Sequence, residues 1–275
     1  MFSLNCKGKL LVIDKPLVMG IINVTPDSFY EGSRQTHESV LEQATKMMNE
    51  GADIIDVGGQ STRPGSERIS VKEELQRVLP AIDVILKKFP AAIISVDTYQ
   101  SEVAKEAVNA GASIINDISA GNMDKNMIPT IAKLEVPYIC MHMKGTPENM
   151  QEDPYYENIT KEVLDFFIQK TDECKRAGIN DVIIDPGLGF GKTISHNFRL
   201  LKELHAFTML EKPIMVGLSR KSTIYKTLGL TADEALNGST VLHTLALQNG
   251  ANILRVHDVK EAKEAITLYK RYEQA

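Results

Sequence analysis

Eight compact apolar runs, rich in β-branched residues, punctuate the chain: LVMGIIN, DIIDVGG, AIISVD, SIIND, PYICMH, DVIID, PIMVGLS and NILRVH. Stretches of helical spacing separate them, and near-continuous apolar strands alternating with helices imply a parallel sheet buried on both faces. Several joins share one device. In EGADIID, NAGASIIND, RAGINDVIID and QNGANILR a glycine (Gly51, Gly111, Gly178, Gly250) stands where a helix should stop, and glycine takes the left-handed conformation of that position cheaply. A helix start is marked by Ser70 and Glu73, spaced as a capping box before ELQRVL, after which Pro80 should kink or divide the helix.

Polar residues close the runs: Asn23, Asp56, Asp97, Asn116, His142, Asp185, Ser219, and Arg255 with His257. In an open sheet only the strands beside the switch point converge on a ligand, whereas all eight strand ends of a (β/α)8 TIM barrel ring one mouth. The distribution favours the barrel. Two-residue alternation puts Ile253, Arg255 and His257 on one face, Ile183 with Asp185, and Ile114 with Asn116, so the polar ends continue an inward-facing apolar row. Residues 1–16, MFSLNCKGKLLVIDKP, read as a short N-terminal hairpin closing the barrel floor. A chain of 275 residues without a linker or low-complexity tract fits one barrel domain spanning 1–275.

Composition then excludes classes of function. A formal charge of −5 with 24% charged residues and no basic stripe argues against nucleic acid as a partner. Cys6, Cys140 and Cys174 are far apart and form no Cys-x-x-Cys, which disfavours a disulfide framework and a zinc site and suits a reducing cytoplasmic setting. No apolar run has the form of a signal peptide or the length of a membrane span.

The stretch DPGLGFGKT, residues 185–193, invites a P-loop reading. The Walker pattern requires a glycine separated by four residues from Gly191, and that position is Pro186, which has no N–H to give a phosphate. Without a phosphate to bind, Lys192 is expected to be a solvated loop residue. Two other loops are long and rich in glycine, proline and hydroxyls: NVTPDSFYEGSRQ after the first run and GGQSTRPGSE after the second. At a barrel's catalytic face such loops suggest elements that assemble over a substrate.

GIINVTPDSF, GADIIDVGGQSTRPG, SVDT, IINDIS, MHMKGTP, DPGLGFGK, GLSRKS and LRVHDV, in this order over nearly the whole chain, resemble the dihydropteroate synthase family. The resemblance implies a (β/α)8 barrel, usually a homodimer. It also implies that 6-hydroxymethyl-7,8-dihydropterin diphosphate is joined to 4-aminobenzoate, with release of diphosphate and Mg2+ as cofactor. It assigns the pterin to Asp97, Asn116, Met143, Asp185, Gly217, Lys221 and Arg255. A pterin presents two adjacent N–H donors, for which a carboxylate such as Asp185 is a bidentate acceptor. Asn116 both donates and accepts, and Lys221 donates to the carbonyl edge. Diphosphate falls to Asn23, Arg255 and His257, with Asn23 also the metal ligand. Aminobenzoate falls to Phe29, Thr62, Arg63, Pro64, Phe190, Lys221 and Ser222, the last at a helix N-terminus facing its carboxylate. Asp97, Arg63, Lys221 and Arg255 are the catalytic set. His142 stays in the structural class.

One departure stands out: where the family's first loop commonly continues Ser-Asp-Gly-Gly, this chain reads Tyr30, Glu31, Gly32, Ser33. Two other readings share the pocket, a pterin-dependent methyltransferase and a pterin-binding paralogue without catalysis. Neither has an evident need for intact STRPG and TPDSF loops.

Overall fold

The computed structural model describes residues 1–24, 33–61 and 66–275, with 33–36 as backbone only. The chain starts as an antiparallel hairpin, β1 (Phe2–Cys6) and β2 (Lys9–Ile13), paired from Phe2 with Ile13 to Cys6 with Lys9. Eight parallel strands follow: β3 (Leu17–Asn23), β4 (Ile54–Gly58), β5 (Ile94–Asp97), β6 (Ile114–Asp117), β7 (Tyr138–Met141), β8 (Val182–Asp185), β9 (Met215–Val216) and β10 (Ile253–Val256). Their order is β8-β7-β6-β5-β4-β3-β10-β9, and a single parallel bridge between Ile184 and Ile214 joins the two ends. The sheet thereby closes into the barrel that the eight runs implied.

Helices lie between consecutive parallel strands, α1 (Ser33–Asn49), α2 (Val71–Lys88), α3 (Ser101–Asn109), α4 (Met127–Leu134), α5 (Ile159–Ala177), α6 (Ile194–Lys202), α7 (Ser222–Leu228) and α8 (Leu236–Gln248), and α9 (Val259–Glu273) follows the last. A 3-10 helix, Leu204–Leu210, separates α6 from β9. The glycine joins behave as expected, with φ of +94° at Gly51, +116° at Gly111, +90° at Gly178 and +99° at Gly250. Ser70 caps α2 by accepting from the Glu73 N–H at 3.2 Å, but the Glu73 carboxylate pairs with Arg77. Pro80 does not divide that helix, which runs unbroken from Val71 to Lys88. Its buried side, Val78, Ala81, Ile82 and Ile85, packs into the layer between helices and strands, and that burial outweighs the one hydrogen bond a proline removes.

Strand alternation divides the apolar residues into two layers. Val18, Ile22, Ile55, Val57, Val96, Ile115, Ile184, Val216 and Leu254 face outward and pack with the helices. Met19, Ile54, Ile114, Ile139, Ile183, Met215 and Ile253 face inward, and Leu4, Cys6 and Ile13 of the hairpin pack beneath them. The hairpin is the floor, and the residues two steps further along the inward rows form the mouth.

Candidate active site

At the mouth the inward rows change from apolar to polar. Above Ile54, Ile114, Ile183 and Ile253 stand Asp56, Asn116, Asp185 and Arg255, and β5 adds Asp97. Arg255 links three strands: its Nε donates to Asp56 Oδ2 at 2.6 Å and its Nη2 to Asp97 Oδ2 at 2.7 Å. Asn116 Nδ2 donates to the same Asp56 oxygen at 3.2 Å. Asp56 is fully buried, and its other oxygen, Oδ1, has no hydrogen-bond partner among the described residues. This aspartate holds Arg255 and Asn116 in place. Nothing in the family resemblance marked it, although the Ile54 to Asp56 step puts it in the inward row.

Asp185 is 5% exposed, and the Gly187 N–H donates to its Oδ1 at 2.8 Å. Burial raises its pKa, while Lys221, that N–H, Arg255 and Lys192 pull the other way. A Cβ at Gly217 would lie 3.7 Å from Lys221 Nζ and 4.0 Å from Arg255 Cβ, so this glycine leaves the space between the two cations open. Lys221 Nζ donates to the Leu188 carbonyl and lies 4.6 Å from the centre of the Phe190 ring. Met143 and Phe190 join Met123 in packing against Tyr99, Ile118 and Met141, forming an apolar wall. Ser222 is the first residue of α7, with Lys221 as its N-cap.

The loop after β8 carries positive φ at Gly187 (+66°), Gly189 (+90°) and Gly191 (+61°). Three of its amides are already engaged: Gly187 N–H with Asp185, Gly189 N–H with Asn197 Oδ1 at 2.8 Å, and Phe190 N–H with the Gly187 carbonyl at 3.0 Å. No open nest of the P-loop kind remains. Lys192, however, is not solvated. It is 2% exposed, and its Nζ lies 2.9 Å from His142 Nδ1 and donates to the His142 carbonyl at 3.2 Å and to the Phe190 carbonyl at 2.9 Å. The sequence reading failed because a lysine on a glycine-rich loop normally reaches water, whereas this loop folds back over the end of β7. His142 keeps its structural role, its ring set edge-on to Phe166 at 4.9 Å and its pKa pulled down to about 2 by burial and by Lys192.

On the opposite rim Asn23 ends β3 exposed, and a Cβ at Gly58 would lie 3.6 Å from both Asn23 Oδ1 and Asp97 Cβ. His257 is exposed beyond β10, with Nδ1 3.1 Å from Ser219 Oγ. Arg220 and Asp258, unassigned by the sequence, form a two-pronged ion pair with both N–O distances at 2.8 Å, joining the GLSRKS and RVHD segments. Phe29, Thr62, Arg63 and Pro64 lie outside the described residues, as do Tyr30 to Gly32. The residues on either side of 62–65 are tied together: Gln60 Nε2 donates to the Ser61 and Glu67 carbonyls, and the Ile69 N–H donates to Gln60 Oε1.

The charges are closely balanced. Burial pushes the Asp97 carboxyl up to about 7 against the pull of Arg255, with Asp56, Glu74 and Asp117 adding to the rise. Burial lowers Lys221 to about 8, Arg255 adding to the fall and Asp185 opposing it. Such a mouth suits a flat heterocycle with donors on one edge and acceptors on the other, adjoining an anion held by Arg255. Among the described residues no group of three or more His, Cys, Asp or Glu could hold a metal, and no helix is long and apolar enough to cross a membrane.

Residues 19–257 match the family described as pterin binding enzyme. The dihydropteroate synthase of Escherichia coli K12 is 45% identical over 269 residues, covering 96% of this chain and 94% of that one. That of Haemophilus influenzae is 42% identical and covers 98% of both. The structure of Xanthomonas albilineans dihydropteroate synthase with 4-aminobenzoic acid is similar at a TM-score of 0.93 and 39% identity, over 99% of this chain and 98% of that one. A second structure from that organism, in complex with 7,8-dihydropteroate, has a TM-score of 0.89 at 37% identity over 100% of both chains. The polar mouth, the floor hairpin and these likenesses over the full length agree, and the chain belongs to the dihydropteroate synthase family of pterin-binding enzymes.

Proposed function

We propose that this enzyme condenses 6-hydroxymethyl-7,8-dihydropterin diphosphate with 4-aminobenzoate, giving 7,8-dihydropteroate and diphosphate. The observation that carries the proposal is the convergence of Asp185, Asn116 and Lys221 with the Asp56–Arg255–Asp97 clamp at one barrel mouth. Asp185 accepts the two adjacent donors of the pterin, Asn116 meets the neighbouring ring nitrogens, and Lys221 turns from the Leu188 carbonyl to the pterin carbonyl edge. Gly217 and Met143 flank the ring. Arg255, His257 and Asn23 receive the diphosphate as the carbon–oxygen bond breaks, and Asp97 stabilises the positive charge on the methylene. The arylamine then attacks that carbon, and no protein nucleophile is needed. Phe190 and Ser222 line the aminobenzoate side together with Phe29, Thr62, Arg63 and Pro64. Incubation with both substrates and Mg2+ should yield dihydropteroate; formation of a methylated product, or pterin binding without turnover, would contradict the proposal.

Mg2+ fits this donor set. Asp56 and Asp97 are committed to Arg255, leaving Asn23 Oδ1 as an uncharged oxygen ligand at the rim, and Mg2+ is commonly held by few protein oxygens together with substrate phosphates. When bound, it would offset the charge of the diphosphate. We also infer a cytoplasmic homodimer. Support comes from a groove between α8 and α9 bordered by Leu268, Tyr269 and Tyr272, beside exposed Val241 and Leu245, an apolar face suited to a second copy.

Two expectations follow from the geometry. The pterin residues come from strand ends already in place, whereas Phe29, Thr62, Arg63 and Pro64 belong to sequence segments rich in glycine and proline, and fixing such a segment around a ligand costs entropy. Calorimetry should therefore detect pterin binding to free enzyme, and aminobenzoate binding only after pterin and diphosphate with Mg2+ are added. Equal aminobenzoate affinity with and without them would contradict this order. The second concerns pH. The ionised form of Asp97 is lost as pH falls through about 7, and the ammonium of Lys221 is lost as pH rises through about 8. A narrow bell in kcat/KM between these limbs is expected. Lys221→Gln should remove the alkaline limb; its survival in that variant would exclude Lys221 as its source.

A further inference from the structure

Lys192 is a buried amine whose pKa burial pulls well below the ordinary lysine value against the attraction of Asp185, and no carboxylate hydrogen-bonds to it among the described residues. Its Nζ meets three partners, two of them backbone carbonyls, on two segments that approach unusually closely. A Cβ at Gly187 would collide with the His142 carbonyl and one at Gly191 with the Lys144 carbonyl, so the 187–191 loop lies backbone to backbone on the extension of β7. Lys192 fastens this contact from within. Two further bonds tie the outer side: Tyr156 Oη donates to the Gly191 carbonyl at 2.8 Å and Gln151 Nε2 to the Gly189 carbonyl at 2.7 Å.

The acceptor that gives Lys192 a bearing on the reaction is the Phe190 carbonyl. Phe190 carries the ring that faces Lys221 and forms the apolar wall with Met143. We propose that Lys192 is a positioning residue for the aminobenzoate subsite: by joining the Phe190 carbonyl to His142, it sets the Phe190 ring against Lys221. The proposal rests on the reading of this wall as the aminobenzoate side of the pocket. Burial keeps the His142 imidazole neutral, and its Nδ1 accepts from the Lys192 amine in the tautomer that carries its proton on Nε2.

The test is steady-state kinetics on full-length Lys192→Met, which keeps the length of the side chain and removes its donors, with each substrate varied in turn. The KM for aminobenzoate should rise roughly tenfold or more while that for the pterin diphosphate changes less than about threefold. In a Phe190→Ala background the same substitution should add less than about twofold to the aminobenzoate KM, because the residue through which it acts is gone. Equal rises in both KM values, or full additivity with Phe190→Ala, would overturn the proposal. If Lys192→Met does not fold, Lys192→Gln, which retains an amide donor, is measured the same way. Failure of both to fold would assign Lys192 to the fold as a whole and overturn the proposal as well. A wild-type chain that makes no dihydropteroate would instead remove the underlying functional reading, a result distinct from normal turnover with unshifted KM values in the variant.

Discussion

Asp185→Asn is expected to abolish measurable pterin binding. The carboxylate is 5% exposed at the end of β8, and one oxygen already accepts the Gly187 N–H. An amide in its place offers one acceptor where the pterin brings two donors, and sets its own N–H2 against one of them. Each buried donor left unpaired costs roughly 1 to 3 kcal/mol, and the charge assistance of the bidentate contact is lost as well. A fall in affinity of at least about 100-fold follows from about 2.7 kcal/mol. Burial raises the pKa of Asp185, so pterin affinity in the unaltered enzyme should weaken as pH drops through that raised value. The variant should lack this dependence. Titration calorimetry that finds undiminished affinity in Asp185→Asn would exclude Asp185 as the pterin acceptor.

Arg255→Met should produce the largest loss of stability. The guanidinium joins Asp56, fully buried, to Asp97, 6% exposed, with bonds of 2.6 and 2.7 Å. Removing the cation leaves two buried carboxylates facing each other, and breaking a buried pair in this way typically costs about 3 to 5 kcal/mol. Turnover should fall below detection, since the same residue receives the leaving diphosphate. The sign of the pH effect separates this account from a simple packing defect. Without Arg255, Asp97 loses the attraction that holds its pKa down, so its folded-state value rises further above the unfolded one. The folded variant then binds more protons than the unfolded chain, and its stability falls as pH rises through that window. The deficit relative to wild type should be smaller at pH about 5 than at pH about 8. A denaturant midpoint difference independent of pH would attribute the loss to packing.

The barrel was legible because its causes are local and repeated. An apolar strand needs β-branched residues in sequence, a helix end needs a residue that tolerates positive φ, and both signals recur at each join, as at Gly111 and Gly178. Alternation within a strand also separated site residues from their neighbours. Asn116 faces the mouth, whereas adjacent Asp117 points away and is held by Ser119, Gly121 and Tyr138. Pro80 misled because helix propensity is a local term of a few kcal/mol, which the apolar burial along α2 overcomes.

By itself the sequence determined the eight-stranded barrel, its floor hairpin, and the mouth to which Asp97, Asn116, Asp185 and Arg255 belong, while Lys221 was assigned there by the family resemblance. Periodicity, turn chemistry and residue type all act within a few residues, and they suffice to say which face a side chain takes. Only the tertiary structure decided who holds whom. Arg255 meets Asp56 across 199 positions and Asp97 across 158, and Lys192 meets His142 across 50. Such pairings are made by strands and loops brought together when the sheet closes, and no spacing along the chain encodes their geometry. The same closure turned a lysine that reads as solvated into a buried donor, because burial belongs to the packed loop and not to the residue.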